Sequence, residues 1–189
     1  SVIPASTLKI PLTVFSIQTL GEDFRFETDF FLDKNNSLII KGKGDPFLIS
    51  EEIDFIAGKL AELLKAKKIS KINGILVDDS YFDKAKIPGV ADSENPYDVL
   101  NGPFVVNFNT INLIRKNGQL FSAEKETPLT PLAVKLGANH LKKNSDRINL
   151  SYSYDFVIRY GCELFGKFLT SHGVEVNERC STTRLTGKN

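Results

Sequence analysis

Ser6 and Lys9 are the residues of this sequence whose types and spacing are best suited to chemistry. They stand three positions apart at the start of an apolar stretch, and residues three apart on a helix share one face. Partial burial lowers the pKa of a lysine, and its neutral amine can then accept the proton of a nearby serine. A serine at a helix N-terminus also gains from the helix dipole, which stabilises a developing oxyanion. The pair therefore predicts a serine nucleophile with a lysine base.

The Ser-x-x-Lys spacing alone is a weak signal, because it is expected about once by chance in a chain of this length. Ser122 and Lys125 repeat it, in a stretch that has the pattern of a strand end. Without context, either copy is more often a surface feature than a catalytic pair. Ser6 is the stronger candidate because Pro4 precedes it closely and a predicted helix follows it.

Serine enzymes that use Ser-x-x-Lys complete their active sites with Ser-x-Asn and Lys-Thr-Gly motifs. Ser93-Glu94-Asn95 matches the first motif, but it lies in a predicted loop and we interpret it as a coincidence. The sequence contains no Lys-Thr-Gly, and in residues 186–188 the lysine follows the threonine and glycine. We therefore expect the active site to be incomplete in this chain.

The remaining polar clusters have simpler interpretations. Asp78 and Asp79 could act as general acids or bases, but a solvated strand end explains them better. Residues 42–45 lack the Gly-Lys-Ser/Thr ending of a phosphate-binding loop. Lys65, Lys67 and Lys68 are typical of a solvated helix end.

The cysteines and histidines do not predict a metal site, and no cofactor is expected. Cys162 and Cys180 are too few for a zinc site, and His140 and His172 stand apart from them and from each other. Cys162 falls in an amphipathic stretch, which favours a buried free thiol. An oxidising compartment would allow the two cysteines to pair.

Composition limits the classes of function. The 189 residues are 41% hydrophobic and 25% charged with a net charge of +1, as in a folded globular protein without broad affinity for nucleic acid or membrane surfaces. No apolar run approaches the roughly 20 residues that a membrane span needs. Because the sequence contains no Met, we expect a processed or excised piece from which any signal peptide has been removed.

Hydrophobic periodicity predicts a mixed α+β fold with too few βαβ units for a doubly wound sheet. The opening helix should begin near Ser6 or Lys9, end before Gly21 and be largely buried. Asn117-Gly118 predicts a tight hairpin turn. The other predicted elements are strands at 24–30, 37–41, 72–77 and 147–152, helices from Ser50 and over 156–171, and a loop over 80–103.

Beyond these motifs, an ordered set of segments resembles the penicillin-binding D-alanyl-D-alanine carboxypeptidase/endopeptidase family (peptidase family S13). Such a set, which spans most of the chain, is far more specific than Ser-x-x-Lys. The segments are PASTLK at 4–9, LG at 20–21, FET at 26–28, the stretch 38–48 with GDPFL at its end, INGILVDDS at 72–80, Phe82, NFN at 107–109, EKETPLTP at 124–131, YGCELF at 160–165, Leu169 and HGVEV at 172–176.

The resemblance implies part of a transpeptidase/β-lactamase-like domain with an inserted accessory α+β domain. Residues 1–20 would hold the nucleophile helix, 21–150 the insertion, and 151–189 the return towards the catalytic domain. It implies Ser6 as the acylated nucleophile, Lys9 as its base, and Glu94 and Tyr97 as contacts to an amino-bearing substrate side chain. Peptidoglycan stem peptides would be the substrates, β-lactams the inhibitors, and the periplasm or cell-wall face the location, reached with a signal peptide absent from this chain.

The sequence also departs from the family pattern. The strands expected before Pro4 and the downstream motifs are missing, and no Trp occurs near Val90, where relatives often carry one. The chain is therefore interpreted as a portion of a serine DD-peptidase. The alternatives are a non-catalytic wall-binding or interaction module derived from that family, or a cytosolic scaffold with chance similarity.

Overall fold

Helices and strands alternate irregularly through residues 5–85, 93–141 and 144–185, which are the residues that the computed structural model describes. The helices are α1 (Lys9–Leu20), α2 (Ser50–Ala66), α3 (Pro131–His140) and α4 (Tyr154–Ser171). The strands are β1 (Thr28–Leu32), β2 (Leu38–Gly42), β3 (Lys71–Ile72), β4 (Ile75–Asp78), β5 (Thr110–Lys116), β6 (Gln119–Ser122), β7 (Ser145–Asn149), β8 (Glu175–Val176) and β9 (Cys180–Thr183). This content confirms the predicted α+β class.

The main sheet has four strands in the order β1-β2-β4-β9. β1 runs antiparallel to β2, whereas β2, β4 and β9 are parallel to one another. Parallel neighbours need a crossover connection, and α2 provides it between β2 and β4. Leu38, Ile39 and Ile40 of β2 are all buried, as expected for a strand that is covered on both faces.

Two smaller sheets complete the strand pairing. β5 pairs antiparallel with β6 and β7, and β3 pairs parallel with β8. Asn117 and Gly118 join β5 to β6 with φ values of 50° and 78°, the left-handed conformation that a type I′ turn requires. The predicted hairpin is therefore confirmed.

α4 forms the centre of the core. Its Tyr160, Leu164 and Phe165 are almost completely buried, and the Phe165 ring lies 5.8 Å from that of Phe30 on β1. The helix therefore packs against the main sheet, and its predicted amphipathic pattern is confirmed.

The predicted strand over 72–77 is divided into β3 and β4. Gly74 causes the break, because its φ of 149° is one that other residues rarely adopt. A Cβ atom at this position would also approach the Arg179 carbonyl oxygen to 2.7 Å. Sequence periodicity does not show this close backbone contact.

The sequence prediction missed α3. Thr130 caps this helix, since its side chain accepts a hydrogen bond of 3.2 Å from the Ala133 N–H, and Pro131 occupies the first turn. A threonine followed by proline is a recognised helix start, so the signal was present in the sequence.

The Asn107-Phe108-Asn109 turn departs from regular structure. All three residues have positive φ, at 46°, 55° and 48°, which is uncommon for residues other than glycine. Asn107 is buried and donates side-chain hydrogen bonds to Ser50 Oγ and Tyr160 OH. This buried polar network holds the start of α2 against α4. Burial raises the pKa of Tyr160 to about 12, with the Asn107 hydrogen bond acting in the opposite direction.

Cys162 on α4 and Cys180 on β9 form a disulfide, with 6.0 Å between their Cα atoms. The interpretation of Cys162 as a buried free thiol was therefore wrong. Sequence alone does not show that β9 passes beside α4, because β9 reaches this position only by pairing with β4.

Candidate functional site

Ser6 and Lys9 lie on either side of the start of the first helix. Ser6 belongs to a single 3-10 turn over Ala5–Leu8, and Lys9 is the first residue of α1. Both residues are exposed to solvent. The predicted helix start is confirmed, while the catalytic roles of the two residues stay a prediction. Pro4 lies outside the described residues.

The prediction that α1 is largely buried was wrong. None of its residues is buried, and its large apolar side chains are 50–69% exposed, including Ile10, Leu12 and Phe15. The apolar residues are distributed around the helix, which is typical of a helix enclosed by other elements. In the described part of this chain, no element covers it.

The second Ser-x-x-Lys copy has a different setting. Ser122 is the last residue of β6, and its hydroxyl donates a 2.9 Å hydrogen bond to the Glu124 carbonyl oxygen while accepting one from the Glu124 N–H. A serine held in this local turn does not share a helix face with Lys125. Ser6, in contrast, lies at the start of a helix.

Asp78 is fully buried, so its interpretation as part of a solvated strand end was wrong. Its carboxylate accepts hydrogen bonds from the Ser80 N–H, the Ser80 hydroxyl and the Leu185 N–H, at 3.0, 2.7 and 3.0 Å. Burial favours a higher pKa, but these hydrogen bonds outweigh it, and the pKa of Asp78 lies below its ordinary value.

Asp79 is also largely enclosed. It forms a 2.6 Å ion pair with Lys84 and accepts a hydrogen bond from the Tyr154 hydroxyl. These contacts overcome the effect of burial and lower the pKa of Asp79, whereas burial and the neighbouring carboxylate raise the pKa of Tyr154. The Lys84 ammonium lies 4.0 Å from the centre of the Tyr154 ring.

A small open cavity of about 380 Å³ lies beside this acidic pair. Asp79, Lys84 and Arg184 contribute both signs of charge, and Ser80 and Thr182 contribute hydroxyl groups. The cavity can therefore form hydrogen bonds with a small polar group. Sequence reasoning missed it because Arg184 follows β9, about 100 positions beyond Asp79.

Glu94 and Tyr97 occupy different environments. Glu94 accepts hydrogen bonds from the Asn149 N–H and the Tyr152 hydroxyl, which attach its loop to the end of β7. Tyr97 lies in a 3-10 turn and is 74% exposed. Their predicted roles as substrate contacts stay a prediction. Val90 and residues 186–188 lie outside the described part of the chain.

The Ser93-Glu94-Asn95 stretch forms a local turn. The Ser93 hydroxyl donates to Asp98 and accepts hydrogen bonds from the Asn95 N–H and side-chain amide, at 3.1 and 2.9 Å. The Ser93 hydroxyl and the Asn95 side chain therefore have local partners, whereas Glu94 bonds to Asn149 and Tyr152. The interpretation of this motif match as a coincidence stays a prediction.

Within the described residues, no three His, Cys, Asp or Glu side chains are grouped so that they could hold a metal ion. His172 instead contacts Asp54 of α2 at 2.8 Å. The described helices also include none with the combined length and apolar character that a bilayer crossing requires.

Comparison with known proteins finds a matching family model and a curated relative. The model of the D-Ala-D-Ala carboxypeptidase 3 (S13) family matches residues 1–130. Penicillin-sensitive carboxypeptidase A from Dictyostelium discoideum is 29% identical over 131 residues, a match that covers 58% of this chain and 24% of that protein.

Two solved structures have a similar fold. A crystal structure of penicillin-binding protein 4 from Haemophilus influenzae matches 99% of this chain and 49% of its own, with a TM-score of 0.60 and 20% identity. A second structure of that protein, complexed with a novel β-lactam, matches 98% of this chain and 47% of its own, with a TM-score of 0.53 and 17% identity. This chain thus spans about half the length of the solved structures and about a quarter of the curated relative.

Proposed function

The chain belongs to the D-Ala-D-Ala carboxypeptidase 3 (S13) family, whose model matches more than half of its residues, and from this membership we propose that it carries the nucleophile of a serine-type DD-carboxypeptidase/endopeptidase. The matched range includes Ser6 and Lys9. The observation that carries the proposal is the location of this pair at the start of α1, inside the family match and open to solvent.

The proposed reaction proceeds through an acyl-enzyme on Ser6. In this proposal Lys9 takes the proton of the Ser6 hydroxyl while Oγ attacks the carbonyl carbon of the penultimate D-alanine of a peptidoglycan peptide. The bond to the terminal residue breaks, and its amine leaves with the proton. Water then hydrolyses the ester and restores Ser6. A β-lactam would acylate the same oxygen.

We propose that residues 1–20 hold the nucleophile helix, residues 21–150 the accessory insertion, and residues 151–189 the return towards the catalytic domain. The exposed apolar residues of α1 support it, since a helix of this composition fits inside a catalytic domain. α4 packs into the same core as β2 and β4, and β9 pairs with β4, so in this proposal the return to the catalytic domain is completed beyond β9.

We also propose Glu94 and Tyr97 as substrate contacts. The exposure of Tyr97 supports direct contact with a substrate. The carboxylate of Glu94 is engaged by Asn149 and Tyr152, so we propose that it acts mainly by holding the loop that carries Tyr97.

An extracytoplasmic location is part of the proposal, and export with a signal peptide would deliver the protein there. The Cys162–Cys180 disulfide supports it, because disulfides persist in oxidising compartments and are rare in the cytosol. Fractionation of the native host should then recover the protein outside the cytoplasm.

A second candidate is a non-catalytic wall-binding module derived from the same family. Transition-state stabilisation and substrate orientation need groups beyond Ser6 and Lys9, and the two candidates differ in whether the complete gene product supplies those groups. Both candidates predict peptidoglycan as the partner, so acylation is the property that separates them.

Intact-mass spectrometry after incubation with a penicillin tests the proposal, on this chain and on the complete product of its gene. We expect one covalent adduct that maps to Ser6 in the complete product. Ser6→Ala should abolish it, while Ser122→Ala, the matched control at the second Ser-x-x-Lys, should leave it unchanged. An adduct that persists after Ser6→Ala would contradict the assignment, and no adduct on the folded complete product would favour the binding module.

A further inference from the structure

We propose that the Cys162–Cys180 disulfide is a redox-sensitive bond that controls whether β9 stays paired with the main sheet. In its oxidised form it holds β9 at the edge of the main sheet. Its reduction releases β9 and the residues up to Leu185 while the rest of the domain stays folded. This inference stands independently of the proposed function.

β9 has few other side-chain attachments. Among the described strands it pairs with β4 alone, through the register from Ile75↔Cys180 to Asp78↔Thr183. The side chains of Ser181 and Thr182 are exposed, and Cys180 is the one residue of the strand that packs against the hydrophobic core. Because little apolar area is buried by β9, its backbone pairing receives little support from packing.

The core beneath β9 is held by other elements. Val77 of β4 and Leu164 and Phe165 of α4 are completely buried, and α2 contributes Ile53 and Ala57 to the same cluster. None of these side chains belongs to β9. Loss of this strand therefore removes one edge of the sheet and leaves the centre intact.

A reductant can reach the disulfide. Cys162 and Cys180 both line an open groove of about 790 Å³ between α4 and the chain from Val176 to Thr182. Cys162 is only 4% exposed, whereas Cys180 is half-buried. Cys180 is thus the more accessible residue of the two.

The chemistry is thiol–disulfide exchange with a dithiol reductant. A thiolate of the reductant bonds to Cys180 Sγ, the bond to Cys162 Sγ breaks, and Cys162 leaves as a thiolate that takes a proton. The second thiol of the reductant then displaces Cys180. Two electrons pass to the protein disulfide, and the reductant becomes a disulfide.

Release of β9 would also change the cavity beside Asp79. The chain that leaves β9 carries Arg184 into the lining of this cavity, and the Leu185 N–H donates to buried Asp78. These contacts depend on the position of β9. The disulfide therefore links the redox state to the shape of a polar cavity on the opposite end of the strand.

Hydrogen–deuterium exchange tests this proposal on the 189-residue chain, before and after reduction with dithiothreitol, with alkylation of both thiols as proof of reduction. We expect exchange in peptides that cover residues 179–185 to accelerate about tenfold or more, with α2 and β2 unchanged. The double variant Cys162→Ala/Cys180→Ala should match the reduced chain and be insensitive to dithiothreitol. Ser181→Ala, a control on the same strand, should keep the slow exchange of the oxidised chain.

Two results would overturn the proposal. Equal protection of residues 179–185 in the oxidised and fully reduced chains would show that β9 stays paired without the disulfide. Equal acceleration in α2, β2 and β9 would show that the disulfide stabilises the whole domain rather than one strand. Because wild-type reduction is measured alongside the variant, a double variant that fails to fold does not remove the test.

Discussion

Two polar pairs in this chain, Ser6 with Lys9 and Asp78 with Asp79, have opposite structural surroundings. Ser6 and Lys9 stand at the start of α1, a helix with no buried residue. Asp78 and Asp79 lie at the end of β4, where Ser80, Lys84, Tyr154 and Leu185 satisfy their carboxylates. The first pair is defined by neighbours in sequence and the second by residues up to 107 positions away.

The first pair depends on local sequence, whereas the second depends on contacts between distant parts of the chain. A helix start is specified by a few consecutive residues, so the spacing of Ser6 and Lys9 at the start of α1 follows from the local sequence. An acidic pair in a buried setting needs donors brought from other elements, because an unpaired buried carboxylate is costly. Substitutions in α1 and in the packed core should therefore affect stability very differently.

The largest contrast should come from two phenylalanines. Phe165→Ala removes a completely buried ring of α4 and should lower the free energy of unfolding by about 3–5 kcal/mol. Phe15→Ala in α1, where the ring is 64% exposed, should change it by about 0.5 kcal/mol or less. Urea unfolding followed by circular dichroism measures both. Similar losses would mean that α1 is packed as tightly as α4.

Two glycines of α4 provide a finer test of packing. A Cβ at Gly161 would lie 2.3 Å from Phe104 Cε1, so Gly161→Ala should destabilise the fold by about 1–3 kcal/mol. A Cβ at Gly166 would meet Val176 at 3.6 Å, an ordinary contact, and Gly166→Ala should stabilise the helix by about 0.5–1 kcal/mol. Thermal unfolding of the two variants shows whether each is more or less stable than wild type. If both variants were stabilised or both destabilised, the proposed difference in packing between Gly161 and Gly166 would be refuted.

The cap of α3 should have an intermediate effect. Thr130→Ala removes the hydroxyl that accepts from the Ala133 N–H, and we expect a loss of about 1 kcal/mol. Thr170→Ala, an exposed threonine of α4 that bonds only within its own helix, should stay within about 0.5 kcal/mol of wild type. Chemical unfolding measures the difference. An unchanged Thr130→Ala variant would exclude a capping role.

The smallest expected effect concerns pH. The pKa of Asp79 is lowered from its ordinary value of 3.8, so its ionised form stabilises the fold above that value. This contribution fades as pH falls below about 4 towards the lower pKa of the folded state. Asp79→Asn should therefore be less stable than wild type near neutral pH, and the gap should shrink in acid.

Unfolding in urea from pH 7 to pH 3 measures this gap, with Asp83→Asn as an exposed neighbouring control. A gap that stays constant across this range would show that ionisation of Asp79 does not contribute to stability.

Much of the fold could be predicted from local patterns. The starts of α1 and α2, the amphipathic α4 and the Asn117-Gly118 hairpin follow from caps, periodicity and turn chemistry that act over a few residues. α3 also had a local signal, the Thr130-Pro131 start, which the sequence prediction did not use. The division of one predicted strand into β3 and β4 had no such signal, because the close approach of Arg179 to Gly74 comes from another part of the chain.

The sequence by itself determined the family, the α+β class and the proximity of Ser6 and Lys9 at a helix start, since these depend on residue types and on short spacing. Only the tertiary structure decided that α1 is exposed, that Asp78 is buried, and that Cys162 is bonded to Cys180. The physical reason is that burial and covalent pairing depend on which distant segments become neighbours. Parallel pairing of β4 with β9 brings Cys180 beside α4 and Leu185 beside Asp78.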